Sequence, residues 1–138
     1  MTTDQQQTEQ EWQDTAPDNT VNWWEIQVPD LAAAQAFYGA VFGWTFAPFG
    51  DSFAMIKAPN GEMIGGLDQV AGDPAGRHVQ IYVKVTDLEA SIAAVRAAGG
   101  GIRHERQLIS EEYGWYAIIE DPWGLRIGLA TSRPPAEG

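Results

Sequence analysis

An internal repeat constrains this chain more than any other feature. The segment WWEIQVPDL (Trp23 to Leu31) matches QIYVKVTDL (Gln80 to Leu88) at an offset of 57. In the first copy Trp24, Ile26 and Val28 alternate with Trp23, Glu25 and Gln27. In the second, Ile81, Val83 and Val85 alternate with Gln80, Tyr82 and Lys84. A period of two marks a strand with one buried face. Each strand ends in an Asp that precedes a helix-compatible run. Asp30 and Asp87 are therefore N-caps, whose carboxylates accept from the first unpaired amides. The first helix reads LAAAQAFYGAVF, with Ala34, Phe37, Tyr38 and Val41 on its apolar stripe. The second reads LEASIAAVRAA, with Leu88, Ile92, Val95 and Ala98. Gly43 and Gly99 to Gly101 supply the stops.

The second half of each copy repeats as well. SFAMIKAPNGEMIGGL (Ser52 to Leu67) matches WYAIIEDPWGLRIGLA (Trp115 to Ala130) at an offset of 63. Pro-Asn-Gly and Pro-Trp-Gly read as turns between short strands. The change of offset places a six-residue insertion before Trp115, in the ISEEYG loop. Each copy thus reads strand–helix–strand–strand–strand, an α+β arrangement in tandem. The predicted organisation is a disordered acidic tail over 1–20, a first βαβββ module over 21–67 and a linker over 68–77. A second module follows over 78–132, with a C-terminal tail over 133–138.

Composition narrows the function classes. There is no cysteine, which excludes disulfides, zinc–thiolate sites and thiol chemistry. The net charge is −11, and the eight Lys and Arg are scattered singly. Nucleic-acid binding is disfavoured, because no basic stripe exists to meet phosphates. The N-terminal residues have neither a basic region nor an apolar run, so they do not read as a secretory signal. No segment approaches the roughly 18 apolar residues of a membrane span. The expectation is a cytoplasmic protein.

Two stretches resemble a known family. AFYGAVFGW (Ala36 to Trp44) resembles the Phe-Tyr-x-x-x-Phe-Gly-Trp helix end of the vicinal oxygen chelate superfamily. EDPWGLRIGL (Glu120 to Leu129) resembles its Asp-Pro-x-Gly closing hairpin. That superfamily includes glyoxalases, bleomycin-resistance proteins, epimerases and extradiol dioxygenases. The resemblance covers residues 21 to 132. It implies curved half-sheets around a central cavity, with the helices outside. In the metal-dependent members, it implies ligands on the first and last strands of each copy. The matching positions here are Trp23, Gln80, Gly65 and Gly128. Only Gln80 has a side chain that binds metals, and a divalent cation needs several oxygen or nitrogen donors. The expectation is a metal-free member with no cofactor. The two Gly would leave space beside the backbone, and Trp23 would offer a flat wall.

Glu25 is the most informative single residue. By alternation it shares a face with Trp23 and Gln27 and points into the expected cavity, where desolvation beside Trp23 favours the protonated acid. That makes it a candidate general acid or base. Its repeat partner Tyr82 is a candidate donor to an enolate or carbonyl oxygen. A buried Glu can equally serve to hydrogen-bond a ligand, or only a backbone amide or a neighbouring Tyr. His78 shares strand parity with Gln80 and Tyr82, at the cavity rim. His104 has uncertain parity, and no HxH or HExxH spacing supports a metal site. Trp23, Trp115, Trp123, Phe53, Met55 and Tyr116 are the aromatic and soft pocket candidates.

Two main readings follow. One is a metal-independent protein that binds a hydrophobic or aromatic small molecule. The other is a metal-independent isomerase, lyase or cyclase using Glu25 as general acid or base. A partner domain with a vestigial cavity is a third. The expected partners are a small-molecule ligand and a second copy in a homodimer, with neither nucleic acid nor membrane.

Overall fold

A computed structural model describes residues 16–71 and 78–135. Residues 1–15 of the expected tail, 72–77 of the expected linker and 136–138 lie outside the described residues. The chain divides into two compact units: Trp23–Gln80, and the chain from Ile81 onward with the residues before Trp23. Each is a mixed α+β unit with one helix.

The first unit is built from β1 (Thr20–Val28), α1 (Leu31–Phe42), β2 (Thr45–Pro48), β3 (Phe53–Lys57) and β4 (Met63–Gln69). Its strands lie in the order β2-β3-β4-β1. β1 runs parallel to β4, while β2, β3 and β4 are antiparallel neighbours. The alternation read from β1 holds: Trp24, Ile26 and Val28 pack with Ile56 and Leu67 beneath α1. Leu31, Ala34 and Tyr38 are the residues α1 turns toward that core. Phe37 and Val41, expected on the same stripe, are 60% and 55% exposed. Four-residue spacing from Ala34 puts Tyr38 inward. At 100° per residue, Phe37 falls about 95° and Val41 about 55° from the mean direction of Leu31, Ala34 and Tyr38, both on the same flank of the helix.

Local chemistry secures the helix ends as the residues dictate. Asp30 Oδ1 accepts from the Ala33 amide at 3.0 Å, and Asp87 Oδ1 from the Ala90 amide at 3.0 Å. Gln69 adds a second cap to α1, its Oε1 accepting from the Leu31 amide at 2.8 Å. Gly43 ends α1 in the left-handed region, at φ 70°.

The second unit repeats this plan with β5 (Val79–Lys84), α2 (Leu88–Ala97), β6 (Gly101–Ser110), β7 (Gly114–Glu120) and β8 (Arg126–Thr131). The strand order is β5-β8-β7-β6, with β5 parallel to β8. Val85, Leu88, Ile92, Ala117 and Leu129 form its core, with Val83, Ile102, Trp115 and Ile119 packed against it. The two hairpin turns match closely. The Gly61 amide donates to Ala58 and the Gly124 amide to Asp121, and both glycines have φ near 90°.

Two differences between the copies were not legible as expected. The six-residue insertion is only partly a loop, since Glu111, Glu112 and Tyr113 form the turn while Ile109 and Ser110 belong to β6. It lengthens a strand, since β6 has 10 residues where β2 has 4. The last strands are also out of phase. In β7–β8 the register steps evenly, Ile119 opposite Ile127 and Ile118 opposite Gly128. In β3–β4 it slips: Lys57 lies opposite Met63, but Ile56 lies opposite Gly65. Ile64 is the extra residue of a bulge. A one-residue slip moves every following side chain to the other face. Asp68 and Gln69, expected to begin the linker, belong to β4.

Candidate functional site

The face of the first unit turned away from its core gathers most of the residues singled out above. On β1 it presents Trp23, Glu25 and Gln27, all half-buried. The Trp23 indole donates from Nε1 to Glu25 Oε2 at 3.0 Å. The two side chains, two residues apart on one strand, therefore hold each other in place. Gln27 continues the row. Its Oε1 accepts from the His78 amide at 3.3 Å, and its own amide donates to the His78 carbonyl at 3.1 Å. The His78 ring lies 3.3 Å from Gln80 Oε1 through Nε2. Gln80 is only 5% exposed. A strip of polar groups in two hydrogen-bonded sets, Trp23 with Glu25 and Gln27 with His78 and Gln80, thus lies within this unit.

The bulge decides what lies next to that strip. Glu25 stands opposite Gly66, and Gln27 opposite Asp68. Met55 is the partner of Gly66 on the other side, and Phe53 that of Asp68. Gly66 is therefore the glycine on the face of Glu25. Gly65, the position expected there, faces the core instead: a Cβ on it would meet the Trp24 ring at 2.8 Å. Counting from the hairpin glycine Gly61 does not reach the face of Glu25 because Ile64, the extra residue of the bulge, lies between Gly61 and Gly65. Gly66 has its own function in packing, since the Phe53 ring lies directly across it, where a Cβ would collide. Phe49 meets Phe53 edge-on, with centroids 6.2 Å apart.

Asp68 was missed by the reading of the sequence. Burial raises its carboxyl above the usual carboxylate range. It sits between Gln27 and Phe53 on the same face as Glu25. The available signal was the Gly-Gly doublet of MIGGLD, since glycine inside a strand pattern marks a bulge or a close approach.

The second unit carries a smaller equivalent face. Tyr82 is the Cα partner of Gly128, and its ring lies across that glycine, again where a Cβ would collide. Tyr116 meets Tyr82 edge-on, at 6.4 Å between centroids and 77° between planes. Trp115 departs from the expectation. It packs against the core under α2, because it shares strand parity with Ala117 and Ile119. The Arg106 guanidinium lies 5.4 Å above its ring. Trp123 occupies a turn tip and is 88% exposed, so it lines no pocket. His104 is exposed on β6. Glu25 and Tyr82 belong to different units.

Among the described residues, no group of three or more His, Cys, Asp or Glu side chains is close enough together to hold a metal ion. Of the positions that the resemblance matches to ligands, Trp23 carries an indole, Gln80 an amide and Gly65 and Gly128 only hydrogens, those of Gly65 against the Trp24 ring and those of Gly128 beneath Tyr82.

The architecture and its sequence motifs agree with known proteins. A family model described as bleomycin resistance protein-like N-terminal matches residues 20–59. A protein assigned as a glyoxylase, CFP32, of Mycobacterium bovis and of Mycobacterium tuberculosis is 30% identical over 117 residues, 80% of this chain. The Mn(II)-bound glyoxalase of Novosphingobium aromaticivorans superposes with a TM-score of 0.63, over 86% of this chain and 42% of that one, at 20% identity. Methylmalonyl-CoA epimerase of Mycobacterium tuberculosis gives 0.62 over 88% of this chain and 95% of that one, at 19% identity. These likenesses agree in supporting the vicinal oxygen chelate superfamily. The chain spans 44% of the length of the curated relatives it matches. The superfamily's paired βαβββ units are both present here. No helix among the described residues is long and apolar enough to cross a membrane.

Proposed function

We propose that this protein binds a hydrophobic or aromatic small molecule without a metal ion, on the face that carries Trp23, Glu25, Gln27, Met55 and Gln80. The observation that carries this reading is the composition of the family's ligand positions. Where metal-dependent relatives place His, Glu or Gln donors, this chain has Trp23, Gln80, Gly65 and Gly128. Both glycines lie under aromatic rings. Aromatic walls with a few fixed polar groups suit flat, weakly polar ligands. The polar strip from Trp23 to Gln80 supplies orientation through an oriented carboxylate and two amides.

The test is direct. Protein purified without a tag is examined by native mass spectrometry for a retained small molecule, then titrated with that molecule while tryptophan fluorescence is followed. Trp23→Ala is expected to weaken binding by about tenfold or more, the loss of one stacking wall. Retention of full affinity by Trp23→Ala, with binding traced elsewhere, would end this reading.

A second reading is supported by the Trp23–Glu25 hydrogen bond. A carboxylate held at one orientation by an indole N–H is positioned for proton transfer. Glu25 would then act as the general acid or base of a metal-independent isomerase, lyase or cyclase. The two readings share a face and differ in whether the bound molecule is changed.

A further inference from the structure

Asp68 stands at a place where the two copies of the repeat differ in kind. The sequences align it with Thr131, at the offset of 63. The bulge at Ile64 moves it by one residue, so that in the sheet it takes the place of Ala130 instead. In the first unit Asp68 lies between Gln27 of β1 and Phe53 of β3. In the second, Ala130 lies between Lys84 of β5 and Tyr116 of β7. Gln27 matches Lys84 at the offset of 57, and Phe53 matches Tyr116 at 63. The two places are equivalent, and the second unit fills its own with a buried methyl group. The fold does not call for a carboxyl there.

The carboxyl is also a burden on the fold. Asp68 is half-buried, and among the described residues no donor or cation meets it. An ionised group withdrawn from water without a partner is destabilising. Its neighbours bring no relief. On β1 the same face carries Gln27 and Glu25, and Glu25 adds a like charge. On β3 it carries Phe53 and Met55. Lys57, next in that alternation, lies beyond the bulge, opposite Met63. The His78 ring beside Gln27 is engaged with Gln80. A group that weakens the fold without being required by it points to a function in binding.

We propose that Asp68 sets the ligand class of this face: its carboxylate receives a protonated nitrogen carried by the flat, hydrophobic molecule that the aromatic walls bind. The proposal rests on the binding reading above and adds the charge of the ligand to it. An ammonium group supplies both the donor and the opposite charge that Asp68 lacks, as a charge-assisted hydrogen bond. Phe53, the neighbour of Asp68 across the sheet, adds an aromatic ring, whose face attracts a cation. A neutral alcohol would supply the donor alone.

Two probes share a ring and differ in that one group, 2-naphthylmethylammonium and 2-naphthylmethanol. Each is titrated into the full chain at neutral pH while tryptophan fluorescence is followed. The ammonium is expected to bind at least about tenfold more tightly than the alcohol. Asp68→Asn is expected to bring the two within about threefold of each other, with the affinity for the alcohol little changed and Tm held or raised. Asp68→Ala, which copies the second unit, gives the same comparison if the first variant fails to fold. Trp23→Ala is expected to weaken both probes alike, which separates loss of a wall from loss of the charge. Equal affinity of the native chain for the two probes, or a preference for the ammonium that survives replacement of Asp68, would overturn the proposal and leave the binding reading standing. Failure of both probes to bind at millimolar concentration would overturn the two together.

Discussion

Glu25 and Trp23 show how much a single pair of side chains can do for a site. Held to Trp23 at 3.0 Å, the carboxylate keeps one orientation against its strand. If the protein turns over a substrate, Glu25→Gln is expected to lower the rate by about 100-fold or more while changing affinity little, measured as kcat against KM. Unaltered turnover in that variant would remove the acid–base reading and leave binding. The glycines beneath the rings make a second prediction at this scale. Gly128→Ala places a methyl group where the Tyr82 ring lies, so the ring must move. The expected cost is roughly 1–3 kcal/mol of stability, read from chemical denaturation, as the Tyr82–Tyr116 pair is displaced. That Gly128 stands where the resemblance puts a ligand position followed from the hairpin count. That a ring fills the space beside it did not, because nothing in a linear pattern says which neighbour leans over a missing side chain.

Elements were the more legible level. Asp30 and Asp87 were readable as caps because a short acceptor before a helix has one favourable use, and both accept the expected amide. Asp30→Ala is expected to cost about 1 kcal/mol in an equilibrium unfolding experiment. A loss near zero would mean that Gln69, which caps the neighbouring Leu31 amide, carries the helix start alone. The phase of β4 was not legible. PNGEMIGGL and PWGLRIGLA align residue for residue, and the bulge at Ile64 breaks that alignment in space. A bulge depends on how a strand fits its neighbour, and β3 and β4 must accommodate Phe53 over Gly66 and Trp24 over Gly65 together. The lengthening of β6 escaped for a similar reason. Ser, Glu and Gly read as loop, yet pairing with β7 extends the strand through Ser110.

For the whole molecule, two carboxyl groups give opposite pH dependences. Asp68 has its folded-state pKa raised by burial. The native state therefore holds that proton more tightly than the unfolded chain, and stability falls as pH rises from the unfolded value near 3.8 through the raised one. Glu89 is the reverse. The hydrogen bond from Arg106 holds its carboxyl below the usual range, so its contribution is present above about 4.5 and is lost as pH falls through the lowered value. Glu89 is largely solvent-exposed, which keeps its share small. Asp68→Asn is expected to flatten the decline of Tm with rising pH in the mildly acidic range. An unchanged profile would mean that Asp68 is not the group responsible. A further expectation concerns metal. Protein purified without a tag should hold no stoichiometric zinc, nickel, manganese or iron by elemental analysis, and dialysis against a chelator should leave Tm unmoved. Stoichiometric metal would refute the metal-free reading.

The repeat, the α+β class, the strand–helix–strand–strand–strand order and the superfamily resemblance were all determined by sequence alone. They rest on local rules: period-two alternation, helix caps and turn glycines act over a few residues and leave direct marks in the chain. The residues at the positions that the resemblance matches to ligands on β1 and β5 were readable in the same way. Tertiary structure alone decided which glycine joins Glu25, that Asp68 shares that face, and that Trp115 turns inward to the core. Each depends on the register between two strands, where one inserted residue reverses every face that follows it. It also decided which side of α1 faces water, since an apolar helix with no charged residue names no outer face until it is laid against a sheet.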